Sequence, residues 1–143
     1  MKVIQYEVLI KAKREHGWRI LWTDHTFRDW SNLIYEGTYM KGELVEGREV
    51  EFISSVNGYG VKSLVEKLEK NAYVKLKHGA DTQESGKVLR EQEWTGGTEI
   101  YSLSEDNGMT TLTLSTEVPD EMIDLFNERL PKALERIKEL SEM

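Results

Sequence analysis

The sequence contains no cysteine, only two prolines and no long apolar segment. The absence of cysteine excludes disulfide bonds, thiolate nucleophiles, iron–sulfur clusters and cysteine-based zinc sites. It also fits a reducing compartment. No segment approaches the roughly 18 apolar residues that a membrane-spanning helix needs, and no secretory signal precedes the first strand-like residues. We therefore expect a cytoplasmic protein without a membrane span.

Positive charge is also in short supply. Lysine and arginine together number 19, against 26 aspartate and glutamate residues, which leaves a formal net charge of −7. Such an average field repels a phosphate backbone, so we expect no nucleic-acid partner. The chain has 143 residues, of which 38% are hydrophobic and 31% are charged. This length and balance are typical of one globular domain, which we place over residues 1–143.

The beginning of the chain predicts one strand followed by two short helices. Residues 3–12 alternate between apolar and polar side chains, as in a half-buried strand. Residues 13–32 instead suit two helices, because Asp24 is a residue type that caps the start of a helix. Phe27 and Trp30 then lie three residues apart, on one face of the second helix.

The middle of the chain alternates strand-like segments with turn residues. Asn107 and Gly108 predict a tight hairpin, because a type I′ turn needs positive φ at both of its central residues. Gly96 and Gly97 predict a β-bulge inside a strand, and the polar residues 81–89 predict a mobile loop. The predicted strands are residues 36–40, 50–55, 61–69, 73–78, 93–104 and 109–118.

The end of the chain predicts a long amphipathic helix. Apolar residues recur every three or four positions from Pro119 to about Glu142. Pro119 with Asp120 and Glu121 suits a helix start, and Pro131 should kink the helix because its ring removes a backbone hydrogen bond. An antiparallel sheet with one wet face needs a cover for the other face, and this helix supplies it. The elements therefore predict an α+β architecture.

Several short motifs carry a resemblance to a known superfamily. They are Leu21-Trp22-Thr23-Asp24, Gly37-Thr38-Tyr39, Glu99-Ile100-Tyr101, Asn107-Gly108 and Leu130-Pro131-Lys132-Ala133-Leu134. Their order and spacing resemble the START-like, or SRPBCC, superfamily, and within it the family related to activators of the heat-shock ATPase (Aha-type). The resemblance covers nearly the whole chain. It implies a helix-grip (START-like, Bet v-like) fold, in which a curved antiparallel sheet of six to seven strands surrounds a long C-terminal helix and two short helices follow strand one.

The same resemblance implies several functions and does not choose among them. Members of the superfamily bind apolar molecules such as lipids, sterols or polyketides in a cavity between sheet and helix, and some are cyclases or hydrolases. Heat-shock ATPase activators use a related domain to bind the chaperone. We expect a binding domain for an apolar or aromatic small molecule, with a protein-interaction module as the alternative and a polyketide-type cyclase or hydrolase as the second. An enzyme is the less favoured expectation.

The candidate ligand-binding residues are mostly aromatic. They either fill a solid core or line a cavity, and His78 and Glu99 would supply the few polar groups that an apolar pocket needs. A buried Glu99 could also act as an acid, although a structural pairing explains it equally well. The histidines are scattered, so we expect no metal and no cofactor. The predicted binding residues are Phe27, Trp30, Tyr39, Phe52, His78, Trp94, Glu99, Tyr101, Met122 and Phe126.

Overall fold

A computed structural model describes residues 1–83 and 97–143, apart from the side chains of residues 80–83. The order of elements agrees with the expected one: a strand, two helices, six further strands and a long helix. In chain order they are β1 (Lys2–Ile10), α1 (Arg14–Trp22), α2 (Asp24–Ser31), β2 (Thr38–Lys41), β3 (Glu49–Ser54), β4 (Tyr59–Glu69), β5 (Tyr73–Gln83), β6 (Thr98–Asp106), β7 (Met109–Val118), a 3₁₀ turn (Asp120–Met122) and α3 (Ile123–Glu142).

The seven strands form one curved antiparallel sheet in the order β1-β7-β6-β5-β4-β3-β2. Each strand from β2 to β7 pairs with its neighbour in sequence, and β1 closes the order by pairing with β7. The predicted hairpin is confirmed at Asn107 and Gly108, whose φ angles are 53° and 75°. The predicted helix-grip fold class is likewise confirmed.

The predicted loop over residues 81–89 is wrong at its start. Residues 81–83 belong to β5, because β4 begins at Tyr59 and its first residues pair with them. The backbone ladder with β4 overrides the polar character of these residues. The rest of that loop, with Gly96 of the predicted bulge, lies outside the residues that the structure describes. The predicted strand 93–104 corresponds, within the described part of the chain, to β6.

The break between the two short helices lies at Thr23 and Asp24, as predicted, but the capping residue is Thr23 and not Asp24. Thr23 occupies the N-cap position with an extended backbone, and Asp24 is the first residue of α2. The Asp24 carboxylate does not cap the helix and instead accepts a hydrogen bond from Arg28 Nε at 3.0 Å, one turn later. A carboxylate in the first turn is favourable without capping, because it complements the positive end of the helix dipole.

The core lies between the concave face of the sheet and the apolar face of α3. Gly17 of α1 permits part of this packing, since a Cβ there would lie 3.2 Å from Leu103 Cδ2 on β6. Helical structure continues through Pro131. No helix within residues 1–83 and 97–143 is both long and apolar enough to cross a membrane. The large side chains that α3 buries are Phe126, Leu130, Leu134 and Ile137.

An ion pair ties α2 to α3. Arg136 donates from Nε to Asp29 Oδ1 at 2.8 Å and from Nη2 to Asp29 Oδ2 at 3.0 Å. Asp29 therefore bridges two helices. The hydrogen bond from Arg136 is the main reason that the pKa of Asp29 lies below its ordinary value of 3.8.

We expect Asp29→Asn to lower the Tm at neutral pH. Because the folded-state pKa is depressed, the stabilisation is present above pH 3.8 and is lost as the pH falls through the folded value. The Tm difference between the wild type and the variant should therefore shrink in strong acid, as measured by circular dichroism melts over a pH series. Asp24→Asn is the control, because its exposed partner Arg28 lies within the same helix and such pairs contribute little. A Tm gap that stays constant down to the lowest pH would contradict the assignment.

Candidate functional site

A cavity of about 640 Å³ lies between the curved sheet and the start of α3. Residues from α2 and the connection to β2 form one side, and residues from the strands β3 to β7 form the other. Asn57 in the exposed turn between β3 and β4 belongs to the lining, so the cavity reaches the surface at that turn. A volume of this size is typical of small-molecule binding sites.

Eight of the ten predicted binding residues line this cavity. Tyr39 does not: its neighbour Thr38 lines the cavity, and successive strand residues point to opposite faces. The Tyr39 ring instead lies beneath Arg28, whose guanidinium carbon is 5.0 Å from the ring centre. Trp94 lies outside the residues that the structure describes. The eight lining residues are Phe27, Trp30, Phe52, His78, Glu99, Tyr101, Met122 and Phe126.

Most of the lining is aromatic. Phe27 lies edge-on to Trp30 at 5.1 Å between ring centres and contacts Phe52 at 5.8 Å. On the helix side, Tyr35 and Phe126 meet edge to face at 5.9 Å. These separations are those of favourable aromatic pairs, so the rings support one another around the open space. The cavity is therefore lined by aromatic rings that pack against one another and present a large apolar area.

The polar groups of the site form a chain across three adjacent strands. Ser63 Oγ lies 2.7 Å from His78 Nδ1, and His78 Nε2 lies 3.1 Å from Glu99 Oε1. Tyr101 donates its phenol hydrogen to Glu99 Oε2. Because the carboxylate only accepts, His78 Nε2 carries a hydrogen. In the neutral ring, Nδ1 then accepts from the Ser63 hydroxyl.

Tyr101 remains a donor under all ordinary conditions. Burial, followed by the nearby negative charge of Glu99, raises the pKa of the Tyr101 phenol well above its usual 10. The hydrogen bond to Glu99 acts in the same direction. Glu99 is thus held on both oxygens, while 16% of its side chain is still exposed where it lines the cavity.

Within the described residues, Ser63 and His78 do not have the geometry of a serine hydrolase. Ser63 is fully buried and lies behind His78, outside the cavity lining in the described part of the chain. A nucleophile must reach the reacting atom of a bound substrate, and this hydroxyl faces no substrate space. Ser63 therefore orients His78, and the group presented to the cavity is the carboxylate of Glu99.

Thr116 completes the polar part of the site. It lies on β7 directly opposite Glu99 on β6, and it also lines the cavity. Thr116 is 2% exposed, and its buried hydroxyl has no hydrogen-bond partner among the described residues. We call His78, Glu99, Tyr101 and Thr116 the polar wall. The rest of the lining is predominantly apolar.

Sequence reasoning missed twelve of the twenty lining residues. Thr116 could have been predicted from the sequence, because it shares the inward face of β7 with Leu112 and Leu114. Tyr35 and Tyr59 lie beside turns, where no periodicity indicates which way a side chain points. The lining residues not predicted are Ser31, Ile34, Tyr35, Thr38, Ser54, Asn57, Tyr59, Gly60, Val61, Thr116, Leu125 and Leu130.

Metal ligands do not gather anywhere in the described ranges. A search of those residues finds no group of three or more histidine, aspartate or glutamate side chains positioned to hold an ion. Both ring nitrogens of His78 are in hydrogen bonds, Nδ1 with Ser63 and Nε2 with Glu99. The chemistry that the described part of the site offers is acceptance of hydrogen bonds by the fixed carboxylate of Glu99.

Comparisons with known proteins find similarity in structure alone. No family model matches the sequence, and no curated protein matches it. Protein MLL2253 from Mesorhizobium loti superposes with a TM-score of 0.72 at 14% identity, covering 97% of this chain and 96% of its own. The Aha1 dimer from Colwellia psychrerythraea gives a TM-score of 0.71 at 21% identity, covering 100% and 98% of the two chains.

A third similar structure is CalU16 from Micromonospora echinospora. Its TM-score is 0.67 at 16% identity, over 95% of this chain and 71% of that one. Identities this low show a shared fold and no more. The chain has the helix-grip fold of START-like, or SRPBCC, proteins.

Proposed function

We propose that residues 1–143 form one START-like, Aha-type domain that binds an apolar or aromatic small molecule in the cytoplasm. The observation that carries the proposal is the cavity of about 640 Å³ between the sheet and α3, with aromatic walls and one polar patch. Binding sites for small molecules combine a large apolar lining with a few fixed polar groups. The proposed ligand-binding residues are the eight that the sequence predicted and the cavity contains.

The packing around the cavity indicates that these aromatic residues line a binding cavity and do not fill a solid core. Side chains such as Phe27, Trp30 and Phe126 are almost fully buried from solvent, yet they border open space. Protein interiors normally fill such space to the density of organic crystals. An apolar void of this size forfeits dispersion contacts on every wall, and a ligand of matching shape restores them.

The protein-interaction alternative depends on an exposed apolar surface. Val3 and Leu9 are large exposed apolar residues on β1, but Gln5 and Glu7 lie between them on the same face. Among the described residues, we therefore find more support in the cavity than on this edge strand. The Colwellia structure is that of a dimer. The oligomeric state of this chain should therefore be measured as well.

A second candidate is a polyketide-type cyclase or hydrolase. The contact of His78 with Glu99 at the cavity wall favours it, because a positioned carboxylate can take a proton from a bound substrate. The two candidates differ in what becomes of the ligand. Mass spectrometry of a bound molecule after long incubation would find it unchanged for a binding protein and altered for an enzyme.

The proposed function predicts a hit in a ligand screen. Lipids, flavonoids and polyketide-like aromatic compounds are tested by thermal shift, because a ligand that binds only the folded state raises the Tm. Amide chemical-shift changes should cluster on the cavity residues. A complete absence of hits would overturn the proposal and leave the interaction module in its place.

Two leucines one turn apart on α3 provide a matched test. Leu130 lines the cavity, whereas Leu134 is buried at 3% exposure and, in the described structure, borders no part of it. We expect Leu130→Phe to fill space, keep the Tm and weaken binding of the bulkiest hits. Leu134→Phe should overpack the core, cost about 1–3 kcal/mol of stability and leave ligand affinity unchanged. Equal effects of both changes on affinity would place the ligand elsewhere.

A further inference from the structure

One negative charge distinguishes the polar wall of the cavity. Glu99 is the single acidic side chain among the described lining residues, which include no lysine and no arginine. Its carboxylate accepts hydrogen bonds from His78 Nε2 and from the Tyr101 hydroxyl. A phenol and a neutral imidazole stabilise the carboxylate as dipoles, but neither brings a positive charge. The described part of the lining therefore holds a negative charge that no lysine or arginine balances.

A ligand that fills the cavity changes the surroundings of this charge. Without a ligand, the exposed 16% of the Glu99 side chain is open to solvent. An apolar ligand excludes solvent from that part, and taking water from a charge is unfavourable unless a partner compensates it. A neutral donor supplies a hydrogen bond alone, whereas a cationic donor supplies the hydrogen bond and the opposite charge. The filled cavity therefore favours a ligand with a positive charge at Glu99.

Two further features disfavour an anion in the same space. The faces of aromatic rings carry partial negative charge and attract cations, and the lining includes the half-buried rings of Tyr35, Phe52 and Tyr59. The whole chain also has a formal net charge of −7, which favours the approach of cations over that of anions. A carboxylate ligand, such as a fatty acid, would be repelled by Glu99 as well.

We propose that the natural ligand is a cationic amine with an apolar or aromatic body, and that its ammonium group donates a hydrogen bond to Glu99. The inference rests on the proposed function and specifies its ligand class. Each carboxylate oxygen can accept two hydrogen bonds, and each Glu99 oxygen accepts one from the polar wall. The ammonium group can therefore bind without displacing His78 or Tyr101. The aromatic lining accepts the body of the ligand.

Three naphthalene probes separate charge from hydrogen bonding on one ring system. The probe 2-naphthylmethylamine is a cationic donor at neutral pH, 2-naphthalenemethanol is a neutral donor of nearly the same shape, and 2-naphthoate is an anion. Their Kd values are measured by calorimetry at neutral pH and low salt. We expect the amine to bind at least about tenfold more tightly than the alcohol, because hydrogen bonds between charged groups are the stronger ones. We expect 2-naphthoate to bind most weakly.

Two variants that remove the same charge provide a matched test. Glu99→Gln keeps an acceptor of similar shape, so the advantage of the amine over the alcohol should fall below about twofold. Glu7→Gln removes a carboxylate from an exposed position on β1, outside the described lining. It should keep the advantage of the amine at the wild-type value within about twofold. Equal losses in the two variants would overturn the inference, because the net charge would then select the ligand without contact with Glu99.

Intermolecular NOEs locate the ammonium end of the bound amine in the wild-type protein. Its methylene protons should show NOEs to side-chain protons of Glu99 or Tyr101. NOEs from these protons only to residues at the surface turn, such as Asn57, would overturn the contact with Glu99. If Glu99→Gln fails to fold, the wild-type ranking and these NOEs still decide the inference.

Every other outcome also decides between the two proposals. Tightest binding by the amine, with its advantage lost only in Glu99→Gln, supports the inference. Equal affinities of the amine and the alcohol, or tightest binding by 2-naphthoate, overturn the amine assignment and leave the proposed binding function intact. If none of the three probes binds at millimolar concentration, the wider screen decides: cationic hits support the assignment, and hits that are all neutral or anionic overturn it. If nothing binds in either experiment, both proposals are wrong.

Discussion

A chain that ends at Val118 should not form a stable fold. It lacks the 3₁₀ turn and α3, whose buried side chains cover the concave face of the sheet. Each large apolar side chain contributes roughly 1.5–3 kcal/mol when buried. The four large side chains that α3 buries, with Met122 before it, therefore represent a stabilisation comparable with a typical total of about 5–15 kcal/mol.

Amide NMR spectra and circular dichroism check this expectation. The truncated chain should give poorly dispersed amide signals or precipitate. A chain ending at Leu140 is the control, because it keeps the four large buried side chains of α3 and loses only the small buried Ser141 with the exposed Glu142 and Met143. That chain should remain folded with a modestly lower Tm. A well-dispersed spectrum from the chain ending at Val118 would contradict the role assigned to α3.

The second large effect is expected at Gly60, which lies opposite Ile53 where β4 pairs closely with β3. A Cβ at this position would lie 2.4 Å from the carbonyl oxygen of Phe52 and 3.0 Å from the Cα of Ile53. Both obstacles are backbone atoms, so a change of side-chain rotamer cannot relieve the clash. We expect Gly60→Ala to cost at least about 1–3 kcal/mol, which is a fall in Tm of roughly 2–12 °C.

Gly79→Ala is the matched control for this experiment. Gly79 lies on the neighbouring strand β5, and a Cβ there would lie 3.3 Å from the carbonyl oxygen of Lys62. That contact is tight but can be relieved by a shift of a few tenths of an ångström. Melting curves of the two variants should therefore differ clearly, with Gly60→Ala much the less stable. Equal melting temperatures would mean that β3 and β4 separate there without cost.

Gly60 also lines the cavity, so the same substitution reports on the site. A variant that remains folded in the cold should bind the hits of the ligand screen more weakly, because β3 and β4 must move apart beside Tyr59 and Phe52. Gly79→Ala should bind them as the wild type does. This second measurement distinguishes a local rearrangement at the cavity from a general loss of stability.

The sequence determined those features that depend on local pattern. The hairpin at Asn107 and Gly108 follows from their tolerance of positive φ, and α3 follows from apolar residues at helical spacing. Inward-facing aromatic residues such as Phe126 could be placed in the lining because periodicity fixes the face on which they lie. The α+β architecture followed from the order of these elements, whereas the helix-grip fold was implied by the resemblance to START-like proteins.

Periodicity was not enough where the face or the end of a strand depended on a distant partner. Thr38, and not Tyr39, faces the cavity, because the register of β2 against β3 sets which residue points inward. Residues 81–83 are polar, yet they are strand because β4 offers them backbone partners. Neither feature can be predicted from the identity of these residues alone.

Only the tertiary structure decided the chemistry of the site. Ser63 and His78 pair directly across β4 and β5, and Glu99 reaches His78 from β6, 21 residues further along the chain. Shifting either strand pairing by one residue would turn these side chains to opposite faces of the sheet. The sequence supplied the carboxylate, the imidazole and the hydroxyls, but strand register brought them together and placed the buried Thr116 opposite Glu99.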